Sequence, residues 1–233
     1  MVTRPARRCV LLFARSPGEE ARVKGLRPAE AVFERASRGL REAVGGLSGV
    51  DLVVAAPAGP RAAGGSGIRQ EGRTFGERLT NAFAEVRERG YREVLAVPGD
   101  VPGLDGKRLL QAFAALRRAR VVLGPSPDGG VYLIGCRGTA RALLREVRWQ
   151  TGSVFSDLRR GAPRAAVLPP LADLDRPADL GRIEAEEGVD TELRNLIRGI
   201  HRCPRRPRSC PEAGPRLPVY AASPETRGPP LFA

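Results

Sequence analysis

The chain has 233 residues, 42% of them hydrophobic, and carries 39 Lys and Arg against 26 Asp and Glu, for a formal net charge of +13. That hydrophobic share excludes wholesale disorder, and the length suits one domain with a sizeable core and a short appendage. No apolar run reaches the length of about 20 residues that a bilayer span requires.

The charge is almost entirely arginine, since Lys24 and Lys107 are the only lysines. A positive field favours anionic ligands such as nucleotides and sugar phosphates. Aromatic content of 5% is low for base-stacking platforms and no nucleic-acid motif is present, which points away from nucleic acid. Arg4, Arg7 and Arg8 precede an apolar run in the manner of a signal peptide. Arg15 ends that run after Cys9–Ala14, too early for a signal core, and no small-residue cleavage site follows. The expected location is therefore the cytoplasm. Cys9 and Cys136 sit in apolar runs and read as buried thiols, whereas Cys203 and Cys210 lie in a proline-rich tail. No Cys-x-x-Cys pair occurs and His201 is the sole histidine, so zinc binding and histidine-dependent nucleophilic catalysis are set aside.

In chain order, the run Cys9–Ala14 predicts a buried first strand. A loop rich in Gly, Pro and cations follows, from Arg15 to about Arg27. Arg15, Arg22 and Lys24 there suit a nucleotide's phosphates, although this stretch alone slightly favours a solvated loop balanced by Glu19 and Glu20. Phe33, Ala36, Leu40 and Val44 predict an amphipathic helix over 28–44 that stops at Gly45-Gly46. Val50–Ala55 predicts a second strand, and the Gly, Pro and Ala of 57–72 a mobile loop over the site. Thr74 with Glu77 three residues on forms a capping-box pattern that opens a helix. Arg78, in its first turns, is within reach of a ligand at the sheet edge or else exposed.

Glu93–Val97 predicts a buried strand, after which Pro98, Gly99 and Pro102 exclude helix and hold Asp100 on a stiff turn at the strand's carboxyl end. Open α/β sheets bind ligands at that edge. A carboxylate fixed there suits a hard divalent cation that also touches phosphate, or it merely caps the next helix. A helix with Leu109, Leu110, Phe113 and Leu116 comes next, then strands over 120–124 and 131–136 separated by Pro125-Ser-Pro-Asp-Gly-Gly130. The glycine pair leaves room for a ligand, and Asp128 is placed to accept from sugar hydroxyls; a plain hairpin is the structural alternative. Trp149 stands in a loop before a helix that Thr151 or Ser153 is positioned to cap, and its size favours a core role over a ligand platform. A last short strand over 165–168 precedes Asp173 and Asp175, either of which is a candidate second carboxylate of a metal site completed by Asp100. Pro177 suits the first position of a helix, Asp190–Ile200 reads as the terminal helix, and 203–233 as a disordered basic tail after a domain of 1–202.

Together, Thr74-Phe-Gly-Glu-Arg-Leu, Gly99-Asp-Val-Pro-Gly-Leu, Pro127-Asp-Gly-Gly-Val-Tyr-Leu-Ile-Gly, Trp149-Gln-Thr and Asp173-Leu-Asp-Arg-Pro-Ala-Asp-Leu resemble the DUF2064 family of glycosyltransferase-like GT-A proteins. The likeness covers about residues 9 to 185. It implies an α/β fold, a GT-A/Rossmann-like three-layer α/β/α sandwich with a mixed, mostly parallel sheet. It also implies a transferase that moves a sugar from a nucleotide-diphosphate donor to a small acceptor with Mg2+ or Mn2+. In that assignment Asp100 and Asp175 hold the metal, Asp100 and Asp128 are catalytic, and Arg15, Arg22, Lys24 and Arg78 bind nucleotide. Gly129, Gly130, Tyr132, Trp149 and Thr151 contact substrate. The chain departs from the family pattern where Arg15 replaces a lysine, Ala21 a glycine, and Arg176 a threonine, and where Lys24-Gly25-Leu26 lacks a Thr-Arg pair. These changes keep open a nucleotidyltransferase acting on a nucleoside triphosphate, and a non-catalytic nucleotide-binding relative.

Overall fold

A computed structural model describes residues 8–59 and 67–202. The tail over 203–233, with Cys203 and Cys210, lies outside the described residues, as does the middle of the 57–72 loop. Seven strands run in chain order as β1 (Arg8–Phe13), β2 (Val50–Ala56), β3 (Gly67–Arg69), β4 (Glu93–Val97), β5 (Val121–Pro125), β6 (Val131–Arg137) and β7 (Ala166–Val167). The helices are α1 (Pro17–Val23), α2 (Glu30–Gly45), α3 (Phe75–Glu88), α4 (Gly106–Leu116), α5 (Arg141–Arg145), α6 (Val154–Gly161), α7 (Asp179–Glu184) and α8 (Thr191–Arg202).

The strands form one sheet in the order β3-β2-β1-β4-β6-β5-β7. Every neighbouring pair is parallel except those of β6, which is antiparallel to both β4 and β5. The β5–β6 hairpin causes this exception, because a tight turn can join only antiparallel strands. Alternation along β1 explains its unbroken apolar run. Cys9, Leu11 and Phe13 pack against α3, α5 and α6 on one face, while Val10, Leu12 and Ala14 pack against α2 and α4 on the other. Helices thus cover both faces, as a mostly parallel sheet demands. A third cluster, with Ala21, Phe33, Leu174, Ile183 and Ile197, ties α1, α2, α7 and α8 together beside the sheet.

The expected strands and long helices are present, with three differences. The cationic stretch after β1 is the helix α1, not a loop. Ser16 Oγ accepts from the Glu19 N–H at 3.4 Å, the Glu19 carboxylate accepts from the Ser16 N–H at 3.1 Å, and Pro17 occupies the first turn. That reciprocal cap satisfies the turn's free donors. The second difference is β3, which pairs with β2 inside the stretch expected to be a mobile loop. Three residues are too few to show an alternating pattern. Third, α7 begins at Asp179, two residues beyond Pro177. The cap of α3 is as expected, with Thr74 Oγ1 accepting from the Glu77 N–H at 3.2 Å. Cys9 and Cys136 are buried free thiols, and burial pushes the Cys136 pKa up to about 12. No helix among the described residues is long and apolar enough to cross a membrane.

Candidate functional site

The carboxyl ends of β1 and β4 converge on Asp100, which is 1% exposed. Gly99 permits the approach, because a Cβ there would stand 3.0 Å from the Ala14 Cβ. The Asp100 backbone carbonyl accepts from the Leu174 N–H at 2.9 Å, docking the segment after β7 against the β4 turn. Leu174 is fully buried in the third cluster, and its flanking residues Asp173 and Asp175 line a cleft of about 980 Å3 at this edge.

Lys24 stands at the centre of the arrangement. It is the residue at which α1 ends, and α1 turns its ammonium inward. Nζ donates to the Asp100 carboxylate and to the Leu174 carbonyl at 2.9 Å, and pairs with Asp175 at 2.6 Å and Glu20 at 3.5 Å. Its side chain is 4% exposed. Burial opposes a charge at Lys24, but Asp100, Asp175 and Glu20 outweigh it and raise the pKa, so the ammonium stays charged. Glu20 is buried as well. Its pKa is raised by desolvation and by Asp100, although Lys24 and Arg15, the latter at 3.2 Å, oppose the shift.

Asp128, Asp173 and Asp175 each offer a carboxylate oxygen within 4.8 Å of the others. Burial and the charges of Asp100, Asp175 and Asp128 push Asp173 up to about 8. Burial likewise lifts Asp175 to about 6, against the pull of Lys24. Asp128 is the exposed member, fastened by its Oδ1, which accepts from the Gly130 N–H at 2.9 Å. Only oxygen donors are present, which suits Mg2+ or Mn2+. The expected pair Asp100 and Asp175 is therefore redistributed. Asp175 joins Asp128 and Asp173, while Asp100 faces Lys24.

The remaining expected residues divide between cleft and scaffold. Arg22, Lys24 and Asp128 line the cleft, and Arg176, Pro177 and Arg182 join them from the segment leading into α7 and from α7 itself. The lining contains neither Arg15, which is held on Glu20, nor Arg78. Tyr132 is fully buried against Gly124, where a Cβ would stand 2.4 Å from its ring, and its hydroxyl donates to the Pro169 carbonyl at 3.0 Å. Its place is in the core, away from the cleft lining. Trp149 packs on Phe75 with ring centroids 5.1 Å apart, and its Nε1 donates to the Leu144 carbonyl at 3.1 Å. Thr151 fixes its own loop, donating to the Arg148 carbonyl at 2.7 Å and capping no helix. The space beside Gly129 is filled by protein. The Gly152 carbonyl would lie 2.1 Å from a Cβ there, and φ is +91°. Of the glycine pair expected to make room for a ligand, Gly129 admits the neighbouring backbone, and the Gly130 N–H orients Asp128.

Arg176 and Arg182 were not legible as site residues, because charged residues just before and within a short helix look solvated. In the sequence Glu20 stands only as a balancing charge, and the signal that buries it is the capping box that makes α1 a helix.

The model of the DUF2064 family, described as "uncharacterized protein conserved in bacteria", matches residues 40–151. The match takes in 112 of the chain's 233 residues. The family segment runs from the last turns of α2 to Thr151, so it includes Asp100, Asp128 and the β5–β6 hairpin, with Lys24, Asp173 and Asp175 outside it. No curated protein matches the chain. Among solved structures, the chain is similar to a protein from Desulfovibrio desulfuricans G20 assigned as a nucleotide-diphospho-sugar transferase. The TM-score is 0.68 at 22% identity, over 84% of this chain and 98% of that one. It is also similar to a 4-diphosphocytidyl-2C-methyl-D-erythritol synthase from Anaerococcus prevotii DSM 20548, with TM-score 0.50 at 11% identity, over 74% and 95% of the two chains. At these identities the likeness is one of fold, a GT-A-like α/β sandwich.

Proposed function

We propose that the cleft binds a nucleotide-diphosphate sugar and transfers its sugar to a small acceptor in a reaction dependent on Mg2+ or Mn2+. The observation that carries this reading is the convergence of Asp128, Asp173 and Asp175 within 4.8 Å at a cleft whose other lining includes Arg22, Arg176 and Arg182. The carboxylates fit a hard divalent ion. Burial and mutual repulsion raise Asp173 and Asp175 toward neutrality, and a cation would relieve that repulsion. When bound, the ion supplies Lewis-acid stabilisation of the charge that develops on the leaving diphosphate.

The chain's own residues do the rest. Arg22, Arg176 and Arg182 make no side-chain hydrogen bond or ion pair among the described residues, which leaves their guanidinium groups available to phosphate oxygens. Lys24 is buried and charged, and its exchange of a carboxylate for a phosphate oxygen would place a fixed ammonium beside the leaving group. Asp128 lies at the exposed rim with one oxygen taken by Gly130, and we assign it the acceptor side, as the group that accepts the attacking hydroxyl's proton, leaving Asp173 and Asp175 as the carboxylates that would hold the ion.

The test is to incubate the full chain with nucleotide-diphosphate sugars and with nucleoside triphosphates, each with and without Mn2+, and to separate the products. Metal-dependent release of nucleoside diphosphate supports the proposal. Pyrophosphate release from a triphosphate would reassign the site to nucleotidyl transfer, and no turnover or binding with either class would overturn both readings.

A further inference from the structure

The opposite end of the sheet carries a second concentration of charge. Arg8 opens β1, Arg92 precedes β4, Arg137 closes β6 and Arg120 precedes β5, while Arg87 comes from the last turn of α3. Because β1, β4 and β5 point the same way and β6 returns, all these positions fall at the amino edge, away from the cleft. They surround a hollow of about 660 Å3 whose one acidic lining residue among the described residues is Glu93. Glu93 is already engaged, accepting from Arg8 Nε at 2.8 Å.

Two of the five arginines are held in place. The Arg8 guanidinium lies 5.5 Å above the Phe113 ring, and Arg87 Nη1 donates to the Arg92 carbonyl at 3.0 Å and the Tyr91 carbonyl at 3.3 Å. Arg92, Arg120 and Arg137 are exposed, and their side chains make no hydrogen bond or ion pair among the described residues. Backbone pairing keeps two of them together, since the Arg137 N–H donates to the Arg120 carbonyl at 2.9 Å. The rim is bare where Gly49 and Gly138 turn through positive φ, of +71° and +109°, with nothing within 4 Å of where a Cβ would stand. Like charges so gathered, with their one carboxylate spent, repel one another until an anion joins them.

We propose that this hollow is a second anion site, for a compact polyvalent phosphate. Guanidinium forks match phosphate oxygens in pairs, and a hollow of this volume suits a small ligand. Among the described residues no aromatic side chain lines it to stack a base, which favours recognition of phosphate alone. The inference does not depend on the transferase reading.

Titration calorimetry of the full chain with inorganic tripolyphosphate, in chelator and without divalent ions, tests it. R120E/R137E is expected to weaken binding by at least about tenfold, because each charge-assisted contact contributes about 1.5–3 kcal/mol. The cleft variant R22E/R176E should bind within about twofold of the unaltered chain, since unlinked sites do not share contacts. No binding, or loss confined to the cleft variant, overturns the proposal. So does a single-stranded oligonucleotide that binds more tightly than tripolyphosphate through Arg120 and Arg137, because the surface would then serve nucleic acid.

Discussion

Two buried carboxylate sites in this molecule are charged in opposite ways. At Asp157, on α6, one carboxylate accepts from the Arg148 N–H at 3.0 Å, from Arg148 Nε at 2.9 Å and from Nη2 at 2.8 Å, and also pairs with Arg160. At the carboxyl edge a single ammonium, Lys24, serves Glu20, Asp100 and Asp175, with Asp173 and Asp128 beyond it. The hydrogen bonds from Arg148 hold the Asp157 carboxyl well below the usual carboxylate range, whereas burial and crowding push Asp173 the other way, to about 8. Donors in excess make a latch that fixes the loop before α6. Acceptors in excess make a place for added positive charge, and that asymmetry supports the proposal of a cation in the cleft.

The sharpest way to break the contrast is to remove acceptors. Asp175→Asn should lower metal-dependent turnover by at least about 100-fold, since the ion's charge stabilisation amounts to several kcal/mol, and should weaken Mn2+ binding measured by calorimetry. Wild-type turnover in this variant would show that the carboxylates serve only the fold. Removing the cation instead, Lys24→Met leaves buried carboxylates without a partner and should cost about 3–5 kcal/mol in denaturant unfolding. Millimolar Mg2+ should recover part of that loss in the variant.

The scaffold side gives the next effects. Gly129→Ala drives a Cβ into the Gly152 carbonyl at a positive φ, and should destabilise the chain by about 3 kcal/mol, with Asp128 displaced. Tyr132→Phe removes only the bond to Pro169, so it should cost about 1 kcal/mol and leave turnover unchanged. A large loss of turnover there would return Tyr132 to the substrate site.

The dependence on pH separates the two sites by sign. Asp173 and Asp175 have folded pKa values raised to about 8 and about 6, so between the unfolded carboxylate value of about 4 and those values the folded state holds protons that the unfolded chain has released. In metal-free protein their contribution to stability falls as pH rises through that window. Asp157, with a depressed folded pKa, contributes above the unfolded value and loses its contribution as pH falls below it. Melting curves at pH 5 to 8 with chelator should therefore decline with pH, and Mg2+ should flatten the slope; a slope unaffected by Mg2+ would remove the cation from the carboxylate cluster.

Much of this was legible in the residues themselves. The continuous apolar runs at Cys9–Ala14 and Glu93–Val97 specify strands buried on both faces. The Thr74–Glu77 box starts α3, and the Pro98-Gly-Asp100 turn places a carboxylate at the ligand edge, because each depends on neighbours a few positions away. The Ser16–Glu19 box was equally local, yet the density of Gly, Pro and charge around it reads as loop. Tertiary structure alone decided which charges meet. Lys24 and Asp100 are 76 positions apart and Lys24 and Leu174 are 150 apart, and only the docking of Leu174 on the Asp100 carbonyl brings Asp173 and Asp175 to the same ammonium. The same rule took Tyr132 and Trp149 out of the cleft. A sequence displays a side chain's chemistry, but whether a ring faces a ligand or a glycine such as Gly124 or Gly76 is set by the element packed across from it.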